Sequence, residues 1–157
     1  MRRRIFGLLA MSGLTLILGC GSDDGLGNRY SVSGKVTHKG QPLEKGEILF
    51  HLATPDPKGI NNGATGTIAN GSYSLSTRGD NDGAFPGEYI VTIVSLDVDM
   101  TKAQANAGGG VARQDDVAKA NRAAKSLIPQ KYGQTTTSGL KATVKESSNS
   151  IDFELTD

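Results

Sequence analysis

Residues Pro86–Val98, PGEYIVTIVSLDV, constrain the fold more than any other part of the chain. This is the longest apolar run outside the N-terminus. Tyr89, Ile90, Val91, Thr92, Ile93 and Val94 are β-branched or aromatic, the side chains that fit a pleated surface. Pro86-Gly87 sets a turn just before it. Apolar residues at both alternate positions predict a strand covered on both faces over part of its length, as in the centre of a β-sandwich.

The other segments repeat this pattern at smaller scale. Tyr30–His38 alternates, with Tyr30, Val32, Gly34 and Val36 on one face. Glu47–Leu52 places Ile48, Phe50 and Leu52 inward. Ala64–Ala69 and Ser72–Thr77 flank Asn70-Gly71, a pair suited to the positive φ angles of a type I′ turn, which predicts a two-residue hairpin. In that register Gly66 stands opposite Leu75 and leaves it room. Leu140–Val144 alternates as well. A last strand, entered through Asn149, turns Ile151, Phe153 and Leu155 inward. Seven short, turn-separated strands predict an all-β, seven-stranded Greek-key sandwich. Glycine at 21 of 157 residues is about twice its usual share, and aromatics are only 5%. That composition fits many turns and a thin core.

Residues 99–127 break the β pattern and read as an insertion. Gln114–Ser126 predicts a short surface helix, with Asp115 and Asp116 early and Arg122 and Lys125 late, as the helix dipole favours. Its apolar stripe is thin: Val117, Ala120, Ala124 and Leu127. Ile128 and Tyr132 should anchor the chain as it re-enters the domain.

The N-terminus specifies an address. Arg2, Arg3 and Arg4 precede the apolar run Ile5–Leu18, a secretory signal pattern too short for an ordinary membrane span of about 20 residues. Ile17-Leu18-Gly19-Cys20 resembles the bacterial lipobox, with Leu18 where a smaller residue is more usual. The resemblance implies cleavage before Cys20, a diacylglyceryl group on its thiol and an acyl chain such as palmitate on the new amine. Gly21, with no Asp beside the cysteine, is similar to lipoproteins sent on to an outer membrane. The expected organisation is a signal peptide at 1–19, a lipid-anchored flexible tether at 20–29 and the sandwich at 30–157. The first 19 residues hold three of the 17 basic residues and none of the 16 acidic ones, so removing them takes the net charge from +1 to −2. Nothing here attracts nucleic acid; the expected partner is a membrane through the N-terminal lipid, in the extracytoplasmic cell envelope.

Val32-x-Gly34-x-Val36, Gly40-x-Pro42-Leu43, Gly71-x-Tyr73-x-Leu75 and Pro86-Gly87-x-Tyr89-x-Val91 resemble the carboxypeptidase-regulatory-like, transthyretin-like domains. Ile128-Pro129-x-Lys131-Tyr132, Ser138-Gly139-Leu140 and Phe153-x-Leu155 are similar to small bacterial lipoproteins built on that domain. The resemblance covers about Tyr30–Thr156. It implies a prealbumin-like sandwich and no catalytic residues.

The chemistry-bearing residues are few. His38 and His51 read as exposed strand-end histidines about 20 Å apart, too distant to share a metal. Gly79-Asp80-Asn81-Asp82-Gly83 is the best metal candidate, with oxygen ligands suited to Ca²⁺, but Asp and Asn equally favour plain turns. Arg78-Gly79-Asp80 matches a tripeptide read by adhesion receptors. Lys102, Lys119, Arg122 and Lys125 form either a solvated helix face or a contact for anionic surfaces. No nucleophile elbow, zinc-helix motif or phosphate loop occurs. The expectation is a non-enzymatic structural, adhesion or accessory binding module without a cofactor. The alternative is a glycan or small-molecule binder using the end loops and the 99–127 insertion.

Overall fold

A computed structural model describes residues 27–54, 63–98 and 114–157. The elements are β1 (Val32–His38), β2 (Gln41–Pro42), β3 (Lys45–Leu52), β4 (Ala64–Ala69), β5 (Ser72–Ser74), β6 (Gly87–Val94), β7 (Leu96–Asp97), α1 (Gln114–Ala123), β8 (Lys125–Ser126), a 3₁₀ turn (Gln130–Gly133), β9 (Leu140–Val144), β10 (Asn149–Ser150) and β11 (Phe153–Leu155). The fold is all-β and sandwich-like. Its two layers are halves of one curled sheet, ordered β10-β1-β5-β4-β3-β6-β9, with β2 and β11 also paired to β1. Three successive strands, β3, β4 and β5, are followed by β6, which returns to lie beside β3. The spatial order β6-β3-β4-β5 is a Greek key.

Strand β6 holds the centre of one layer, paired with β3 on one side and β9 on the other. Tyr89, Val91 and Ile93 enter the core, and Thr92 on the opposite face is also buried, matching the run's two-sided apolar character. Phe50 of β3 is the hub. Its ring centroid lies 6.3 Å from Tyr73, 5.6 Å from Tyr89 and 6.1 Å from Phe153, so it joins strands from both layers. Such tilted and edge-on contacts add to the area term. The hairpin closes as expected: Asn70 and Gly71 have φ of 49° and 76°, and Ala69 pairs Ser72. Thr65 bridges Ser76 in the same register. A side chain at Gly66 would press on the Leu75 methyl and the Ser74 carbonyl.

The last strand closes the sheet, and it does so parallel to the first. It is split into β10 and β11 around Ile151-Asp152. There Ile151 N–H donates to the Ser33 carbonyl at 2.9 Å, Lys35 N–H donates to the Asp152 carboxylate at 2.7 Å, and the buried Tyr73 hydroxyl donates to the Ile151 carbonyl at 2.8 Å. Burial, then the charge of Asp152, push the Tyr73 phenol well above its ordinary value of 10, so it remains a donor. Gly34 makes this approach possible, since a Cβ there would overlap the Ile151 carbonyl.

Four details differ from the sequence expectation. Pro86–Val98 is not one strand: it breaks at Ser95, whose buried hydroxyl donates to the Lys45 carbonyl at 2.6 Å. The predicted helix stops at Ala123 rather than Ser126, because Lys125 and Ser126 pair with Asp97 and Leu96. Leu127, counted in the helix's apolar stripe, is 39% exposed, and α1 buries no residue. Arg29, assigned to the tether, is bound to the domain, as described below. Ile128 and Tyr132 are buried anchors, as expected. The signal segment 1–19, Cys20 and residues 99–113 of the insertion lie outside the described residues.

Gly34→Ala should lower unfolding free energy by about 2–4 kcal/mol through overpacking, measured by chemical denaturation. Gly133→Ala, whose new methyl would meet Val94 only at 3.6 Å, should stay within about 0.5 kcal/mol of the parent.

Candidate functional site

Strand direction assigns the described turns to one of two ends. One end carries the N-terminal junction at Arg29-Tyr30, the Thr77–Gly83 turn, and the 145–148 turn. The other carries the Asn70-Gly71 turn, β7, β8, α1 and Asp157. The lipobox residues Ile17–Cys20 lie outside the described residues, but the point where their chain joins the domain is defined. Tyr30 and Ala84 exchange backbone hydrogen bonds at 2.9 and 3.0 Å. The Arg29 guanidinium lies 2.9 Å from the Asp82 carboxylate and 5.5 Å from the Phe85 ring centroid.

The calcium candidate resolves into a turn device. Asp82 accepts backbone N–H bonds from Thr77 at 2.7 Å, Gly79 at 3.0 Å and Arg78 at 3.2 Å, besides its pair with Arg29. Burial alone would raise its pKa, but those three donors and the Arg29 charge outweigh it, and the carboxyl sits below its ordinary 3.8. Asn81 N–H donates to the Ser76 hydroxyl at 2.9 Å, and Asn81 takes φ 54°. Asp80 is exposed, as are Arg78 and Gly79. Among the described residues no three His, Cys, Asp or Glu side chains cluster as a metal site would require.

The histidines are not exposed strand ends. His51 is half-buried and shares a 2.9 Å hydrogen bond with Thr92, whose side chain fills the far face of β6. His38 is half-buried at the opposite end of the sheet, its Nε2 3.4 Å from the Asp157 carboxylate. His51 lies at an outward-facing position, where neighbouring side chains rather than the alternation decide exposure, whereas His38 continues the inward face of Val32 and Val36 to the strand's end. Asp157 also pairs with Lys39 at 2.6 Å. The Lys131 ammonium reaches the Asp157 carbonyl at 2.9 Å, and Tyr132 donates to the Thr156 carbonyl at 2.9 Å. This cluster ties the end of β11 to the 3₁₀ turn; no local motif announces it.

The cavities on the surface include two lined by described residues. A groove of about 330 Å³ runs over β3–β5 between Glu47, Thr65, Thr67, Ser74, Ser76 and Asp80, lined by hydroxyls and carboxylates with no cation. A cleft of about 310 Å³ lies at the insertion end, between α1 and the β6–3₁₀ wall, and no carboxylate lines it. The proposed basic face is only partly on the helix: Lys119 and Arg122 are exposed on α1, Lys125 sits in β8, and Lys102 lies outside the described residues. No described helix is long and apolar enough to cross a membrane.

No family model matches this chain, and no curated protein does. Among solved structures, a DUF3823 family protein from Parabacteroides merdae is similar at 16% identity and a TM-score of 0.36, covering 82% of this chain. The chain spans 46% of that protein's length.

Asp82→Ala should destabilise the domain by about 1–2 kcal/mol, the scale of a lost capping carboxylate. Because the folded carboxyl titrates below the unfolded one, its contribution is full above the ordinary Asp range and is lost as pH falls through the lower, folded value. Denaturation midpoints of parent and variant should therefore converge in acid and separate near neutrality.

Proposed function

We propose that this chain is a lipid-anchored, extracytoplasmic module of a bacterial cell envelope, a carboxypeptidase-regulatory-like domain that braces or binds rather than catalyses. The observation that carries the reading is the opposition of the two ends. The chain from Cys20 joins at Arg29-Tyr30, and the insertion rises from β7 and β8 at the far end. From Cys20 to Asn28 there are nine residues, which span at most about 30 Å even when extended. An acylated Cys20 would thus hold the Thr77–Gly83 end toward the bilayer and turn the insertion end outward. Two or three acyl chains suffice, at about 0.8 kcal/mol per buried CH₂.

The non-catalytic part of the reading is supported by how the titratable groups are used. His51 is hydrogen-bonded to Thr92, a residue only 3% exposed. His38 faces Asp157 at the other end. A second reading, a small-molecule binder using the insertion, is favoured by the cleft beside α1.

The test is fractionation of cells expressing the full chain or its Cys20→Ser variant, with mass spectrometry of the product. The parent should sediment with membranes, cleaved before Cys20 and carrying acyl mass; the variant should lose both the modification and the membrane association. A variant that remains equally bound would sink the anchoring claim.

A further inference from the structure

We infer that the cleft between α1 and β6 is a binding site for a small aliphatic carboxylate. This deepens the second reading above, and rests on the lipid-anchored reading only for the direction in which the cleft faces.

Val94 and Leu96, both half-buried, give the cleft an apolar strip within a mainly polar lining that includes Asn121, Arg122, Gln130 and Gln134. Rim chemistry selects the ligand. Arg122 pairs with no described acid; the described ion pairs use Arg29, His38, Lys39 and Lys45 instead. Nor do the three carboxamide side chains bond to any described group: Asn121 and Gln134 contribute only main-chain carbonyls, to Ala124 and to Thr137 and Ser138. Arg122 and three carboxamide residues, all exposed, therefore line the same cleft with no described protein partner for their side chains. With no carboxylate in the lining, the local charge is positive, and it is matched by an anion.

Size and charge narrow the class. A volume of about 310 Å³ sits at the low end of ligand pockets, which run from roughly 300 to 1,000 Å³. The planar guanidinium fork fits a carboxylate through two parallel N–H bonds. A single cation neutralises a monoanion and leaves a phosphate dianion in excess. Val94 and Leu96 give a short aliphatic stem an apolar surface, while the carboxamides orient the head. The contrasting groove over β3–β5, with Glu47 and Asp80 and no cation, repels the same ligand.

The test uses the full chain in bilayer nanodiscs, empty nanodiscs as blank, titrated with sodium hexanoate and followed by ¹H–¹⁵N NMR. Hexanoate should give saturable shifts at the Asn121, Gln130 and Gln134 side-chain amides and the Gly133 backbone amide. Hexan-1-ol and hexylamine, which keep the stem and lose the anion, should not. Arg122→Gln should weaken hexanoate binding by about tenfold, and Arg122→Lys by less, since it keeps charge without the fork. Arg122 is exposed, so both variants keep the fold, checked by unchanged shifts elsewhere. Equal binding of hexan-1-ol, no effect of Arg122→Gln, tighter binding of inorganic phosphate, or no saturable shift would each overturn the assignment. Hexanoate binding by a chain that is not acylated would sink the anchoring and keep this site; an acylated chain that ignores hexanoate would do the reverse.

Discussion

The curled sheet depends on one missing side chain. Gly34 lets the Ile151 carbonyl come against β1, where the Tyr73 hydroxyl meets it. Only with that contact made can β11 run parallel to the second half of β1, Val36 opposite Phe153. Phe153 then reaches Phe50 and Tyr73, at 6.1 and 6.4 Å between ring centroids. A core with few aromatics has to place each of them at a junction between strands, since each buries a large area at once. Any bulk at position 34 acts on the core through this chain of contacts, although the residue lies outside the core cluster itself.

A second constraint sits where the N-terminal chain joins the domain. The Greek key needs a crossover from β5 to β6, and that crossover is the Leu75–Pro86 segment. Its backbone N–H groups have no ladder partner over the turn, so a carboxylate supplies one for three of them. The same carboxylate holds Arg29. Asp82 thus couples the crossover of the fold to the point where the N-terminal chain leaves it. A pull on the N-terminal chain would be delivered to Arg29 and the Tyr30–Ala84 bridge before it reaches the core strands.

The strands were legible because period-two burial and turn chemistry are local. Val32, Ile48, Phe50 and Phe153 could be placed inward from alternation alone, and Asn70-Gly71 fixed its hairpin register. What was not legible is non-local. The split at Ile151-Asp152 follows from parallel pairing with β1, 117 residues away in the chain at the Lys35–Asp152 contact. The truncation of α1 follows from β8 finding β7. Asp80-Asn81-Asp82 is ambiguous in sequence because a calcium loop and a tight turn ask for the same residues; only the three N–H donors around Asp82 separate the two. The cleft is invisible for a similar reason. Arg122 and Gln134 belong to different elements, and neither sits in a motif.

The insertion is where stability and function part company. A ten-residue helix is marginal in water on its own, and α1 buries no residue that would stabilise it by packing. On its C-terminal side it is held by the chain that follows: β8 pairs β7, and Leu127 N–H donates to the Ser95 carbonyl at 2.9 Å. Removing its apolar contacts would cost the sandwich little, because the core cluster draws nothing from α1. The helix therefore does for the cleft what it does not do for the fold: it supplies one wall, and with it the guanidinium that sets the sign of the charge. The β-sandwich in turn supplies the rigid wall at Val94 and Leu96. A site made from one rigid and one lightly held wall can adjust its width without disturbing the core, which suits a small ligand gripped through its charged head.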